Sequence, residues 1–76
     1  MVTLDQLIER ANEWLENRNA GSLNSNEIVY LTTKVVNILD LKKYCTILDL
    51  ERSMVLHFAV GLCKIRGYKY PVVLDS

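Results

Sequence analysis

The sequence predicts an all-α fold: a compact three-helix domain, with helices near 4–17, 25–40 and 47–66, and a short extended C-terminal tail. Three observations lead there. Helix-capping spacings recur at Thr3–Gln6, Asn24–Glu27 and Thr46–Asp49. The apolar residues that follow each of them recur with helical rather than two-residue period. Gly21 and Gly67 stand just past the ends of the first and third apolar runs, where a left-handed residue closes a helix.

In the first segment Leu4, Leu7, Ile8, Ala11, Trp14 and Leu15 form one stripe. Asp5, Glu9, Arg10, Asn12, Glu13 and Glu16 take the opposite side. In the second segment Ile28, Leu31, Val35, Ile38 and Leu39 form one stripe and Val29, Thr33 and Val36 a second. Its many β-branched residues lean toward a strand. The cap and the absence of two-residue alternation outweigh that leaning.

The four letters Ile38-Leu39-Asp40-Leu41 return as Ile47-Leu48-Asp49-Leu50. On one continuous helix the two copies, nine residues apart, would face roughly opposite ways at about 100° per residue. The Thr46 cap instead assigns the first copy to the end of one helix and the second to the start of the next. Lys42-Lys43-Tyr44-Cys45 connects them, with its lysines at the negative end of the second helix. The third segment is apolar around most of its circumference. Asp49, Ser53, His57 and Lys64 draw one narrow polar line along it, as expected of a central helix.

A chain of 76 residues is one domain, 1–76, and half of its residues are apolar, which argues against disorder. Nine basic residues balance nine acidic ones. Residues 1–40 carry three basic and six acidic groups, and residues 41–76 the reverse. That asymmetry suits halves that pack together, or a basic half that meets an anion. The longest apolar run, Met54 to Cys63, covers ten residues, against about 20 for a membrane span. No leader-like stretch opens the sequence, so a cytoplasmic setting without a membrane is expected, with Cys45 and Cys63 as thiols. Both read as small buried hydrophobes.

Chemistry finds little support. His57 has no carboxylate at its helical neighbour positions to orient the ring. One histidine and two separated cysteines make no metal set. The three glycines form no phosphate loop. No catalytic, cofactor or metal-binding residue is expected, and no enzymatic activity. The third helix needs more cover than two shorter helices supply. Homo-oligomerisation would complete such a core, with Val29, Val36, Leu56, Gly61, Val72, Val73 and Leu74 as the candidate interface. Gly61 inside a helix costs about 1 kcal/mol against alanine, which suits close approach of another backbone. The reading is a non-catalytic interaction module, a small regulator or inhibitor that binds itself and a partner protein. A nucleic-acid-binding regulator is the alternative. Its contacts would be Lys42, Lys43, Lys64, Arg66, Tyr68, Lys69 and Tyr70, where basic residues lie beside aromatics. The acidic start of the third helix, Asp49 and Glu51, speaks against that alternative. A small anionic ligand held between protomers near Lys42, Lys43, Lys64 and Arg66 is a third option.

Overall fold

The computed structural model describes residues 2–69 and 72–74. Three α-helices and no strand make up the described residues: α1 Leu4–Glu16, α2 Ser25–Leu41 and α3 Ile47–Arg66. Their ends follow from local chemistry. Thr3 and Gln6 close a reciprocal capping box on α1, as do Asn24 and Glu27 on α2. At α3 the Thr46 hydroxyl accepts the Asp49 amide and donates to Asp49 Oδ2 at 2.6 Å. The aspartate is one methylene shorter than glutamate, so its carboxylate meets the hydroxyl and not the Thr46 backbone. Gly67 closes α3 at φ 70°. Gly21 is left-handed as expected, at φ 73°, and Asn19, two residues nearer the end of α1, is left-handed too, at φ 55°. Asparagine tolerates that region better than most residues. The Ala20 amide then reaches back to the Leu15 carbonyl at 2.9 Å.

The helices run up, down and up. The Val2 amide donates to Glu51 at 3.2 Å, which sets the start of α1 beside the first turns of α3. At the other end Arg66 reaches the connection between α1 and α2. The core is assembled from Leu7, Ala11 and Leu15 of α1, Leu31 and Val35 of α2, and Phe58, Ala59 and Leu62 of α3. Val72 and Leu74 are also buried in it, while Val73 between them is exposed.

The β-branched run of α2 is helical throughout: Leu31, Val35 and Ile38 bury one helical face, so tertiary packing overrides local propensity. The expectation that both cysteines are buried is corrected for Cys45. It is exposed, because the connection 42–46 projects beyond the helices and does not fold against α3. Cys63 is half-buried and its thiol donates to the Tyr68 carbonyl.

Candidate interaction surfaces

One groove lies between α3 and the C-terminal segment. Arg52, Val55, Leu56 and Ala59 line it from the helix, and Val72, Val73 and Leu74 from the tail. Its volume is about 260 Å³. Three-residue and four-residue steps along α3 place these side chains on adjoining rows. Leu56 and Val73 stand 60% and 69% exposed at its edge. Arg52 is exposed and makes no ion pair among the described residues. Of the residues expected at an interface, the structure therefore brings together Leu56, Val72, Val73 and Leu74. Val72 and Leu74 serve the core as well as the groove wall.

Val29 and Val36 lie apart from that groove, exposed on α2. Gly61 is buried and has its close neighbours within its own chain. A Cβ there would stand 2.8 Å from Leu31 Cδ2 and 3.1 Å from Lys34 Cδ. The close neighbours of this glycine are side chains of α2 in the same chain, where the expectation was the backbone of a second copy.

The basic residues divide between the two ends of α3. Lys42 and Lys43 are exposed on the connection before it, with Lys43 Nζ 5.2 Å from the Tyr44 ring. Lys64, Arg66, Tyr68 and Lys69 lie at its other end. A helix of 20 residues spans on the order of 30 Å, so the two groups do not share one small ligand within a chain. Arg66 is engaged inside the fold. It donates to the carbonyls of Ala20 and Ser22 at 2.8 and 2.9 Å, and Nη2 donates to Glu27 Oε1 at 3.0 Å. Its Nε stands 2.7 Å from Glu27 Oε2 as an ionic contact outside hydrogen-bonding alignment. Tyr68 packs edge-on against Trp14, with ring centroids 5.1 Å apart. Tyr70 lies outside the described residues. His57 is exposed, and among the described residues no cluster of histidine, cysteine, aspartate or glutamate could hold a metal. No helix among them is long and apolar enough to cross a membrane.

A second groove was not legible in the sequence. Val2, Thr3, Leu39, Ile47, Leu50, Glu51 and Met54 line it, with a volume of about 290 Å³. It opens where α2 ends and α3 begins. Every residue from 41 to 49 is exposed, including Leu41 at 83%, Tyr44 at 90%, Ile47 at 59% and Leu48 at 57%. The available signal is helix length: α1 has 13 residues and α3 has 20. Because Val2 sits level with Glu51, no part of α1 covers the turn of α3 that precedes it.

Compared with protein-family models, curated proteins and solved structures, the chain finds no match. The functional reading rests on these surfaces.

Proposed function

We propose that this protein is a non-catalytic interaction module, a small regulator or inhibitor that acts by binding a partner protein. The observation that carries the reading is the groove between α3 and the tail, an apolar floor of Val55 and Ala59 edged by exposed Leu56 and Val73. Arg52 at its margin adds one cation without an intramolecular ion pair among the described residues. The occupant that fits this chemistry is an apolar segment of another protein that carries a carboxylate for Arg52. Leucine and valine supply buried area, and an exposed arginine at the rim supplies orientation more than affinity. The nucleic-acid alternative loses support because Arg66 and Tyr68 are engaged within the fold.

The test uses the parent chain and a Leu56→Glu/Val73→Glu variant as baits in the native cell, with and without nuclease. The reading expects a protein held by the parent, resistant to nuclease and lost from the variant. Purified, that pair should weaken by about tenfold or less between roughly 50 and 200 mM salt, since few counterions are released. Recovery of nucleic acid instead, with a fall of about a thousandfold over that range, would replace this reading with the alternative. Equal recovery by both baits would remove the groove from it.

A further inference from the structure

The open end of the α2–α3 hairpin holds two complementary features on one chain. One is a projection: Leu41 and Tyr44 stand almost wholly in solvent. The other is the recess beside it, walled by Leu39, Ile47, Leu50 and Met54. At about 290 Å³ the recess sits at the lower limit for small-molecule pockets. It suits one or two large side chains better than a cofactor. Leu41 and Tyr44 do not line the recess of their own chain, and the connection 42–46 that carries Tyr44 is exposed along its length.

We propose that this end is an isologous interface, in which two copies of the chain pair about a two-fold axis and each inserts Leu41 and Tyr44 into the recess of the other. The inference deepens the interaction reading by naming a second copy as the occupant of this surface, distinct from the α3–tail groove. A two-fold interface requires a patch that complements itself, and a projection beside a recess of the same apolar character meets that requirement. The charges agree. Asp40, Lys42, Lys43 and Asp49 are all exposed around the patch, two of each sign. Across a two-fold axis the lysines of one copy can face the aspartates of the other. An anionic lipid surface or a nucleic acid would meet two aspartates together with the two lysines, so its attraction is largely offset. Tyrosine at the centre of such a patch is a residue type that carries much of an interface's energy. The partner copy also supplies what α1 lacks, cover for the first turn of α3.

The experiment measures mass in solution for the full chain. Sedimentation equilibrium of the parent at micromolar concentration should give twice 8.7 kDa. Leu41→Glu and Tyr44→Glu alter side chains that touch little of the monomer. Each should keep the parent's helical circular dichroism and weaken self-association by at least about thirtyfold, as for a residue that dominates an interface. Leu56→Glu, on the other groove, should leave the dimer intact. That separates this proposal from the partner-protein reading, which the Leu56 face decides. A parent that stays monomeric at 100-fold higher concentration overturns the proposal, and so does a dimer indifferent to both tip substitutions. Monomer that floats with vesicles of mixed neutral and anionic phospholipid, and loses them on Tyr44→Glu, overturns it in favour of a lipid surface.

Discussion

At the end where α1 finishes, the chain binds itself closed. Arg66 ties two carbonyls of the α1–α2 connection and the carboxylate of Glu27 into one place. Asn12 accepts the Leu23 amide at 2.9 Å, Leu23 is buried, and Trp14 packs on Tyr68 with Arg18 stacked 3.6 Å over its ring. At the opposite end the connection is held by little more than its own turn. The Cys45 amide meets the Lys42 carbonyl at 2.9 Å, Thr46 caps α3, and large apolar side chains face outward. The two ends use the same helices and similar composition. The difference is that one end spends its apolar groups on its own core, and the other leaves them available to a neighbour. A free energy of folding of only a few kcal/mol in so small a domain makes that division consequential.

The contrast is sharpest for deletion of an apolar side chain at either end. Leu15 is fully buried near the closed end. Leu15→Ala should destabilise by about 3 kcal/mol, the transfer term plus the cavity left behind. Leu48 is 57% exposed at the open end, and Leu48→Ala in dilute monomer should cost no more than about 0.5 kcal/mol. Urea unfolding at matched low protein concentration measures both. Equal losses at the two positions would mean that the ends are equally consolidated and would break the comparison.

Arg66 tests what holds the closed end. Its side chain and that of Glu27 are 19% and 14% exposed, so solvent screens the pair only in part. Arg66→Ala removes a charged pair and the hydrogen bonds to the Ala20 and Ser22 carbonyls, at a cost of about 2 kcal/mol. Arg66→Lys keeps the charge but cannot fork toward Ala20, Ser22 and Glu27 together, and should recover less than half of the loss. Full rescue by lysine in urea unfolding would reduce the clamp to charge alone.

Much of the fold was legible because its signals are local. Thr3, Asn24 and Thr46 announce helix starts through residues three positions away, and the α1 stripe of Leu7, Ala11 and Leu15 repeats within two turns. The surfaces were legible only in part. Leu56 and Val73 stood out as apolar residues in need of cover, but their meeting in one groove depends on how the tail returns, and three residues are too few for a period. Arg66 read as a helix-end cation because its partners lie 39 to 46 positions away in sequence. The open groove was missed for a similar reason. It arises from the relative heights of α1 and α3, to which the long-range link from Val2 to Glu51 contributes, and no window along the chain contains both.

A smaller effect than at Leu15 or Arg66 is expected at Gly61, which lies on α3 nearer the closed end than the open one. Two opposing terms act there. Alanine in place of glycine inside α3 gains about 1 kcal/mol of helix stability by restricting the unfolded chain. The added methyl meets Leu31 Cδ2 at 2.8 Å and Lys34 Cδ at 3.1 Å. The lysine stem can swing outward at little cost. Leu31 cannot, because it is fully buried in the core, and displacing it costs about 1–3 kcal/mol as overpacking. Packing should outweigh propensity, and Gly61→Ala should destabilise by about 1 kcal/mol in urea unfolding. Gly61→Ala combined with Leu31→Val separates the two terms. Trimming the leucine makes room for the methyl, so the pair should cost less than the sum of its single changes. A Gly61→Ala variant more stable than the parent would mean that α2 and α3 already have slack at this crossing. The spacing of the hairpin, and with it the width of the recess at its open end, would then be set by the closed end alone.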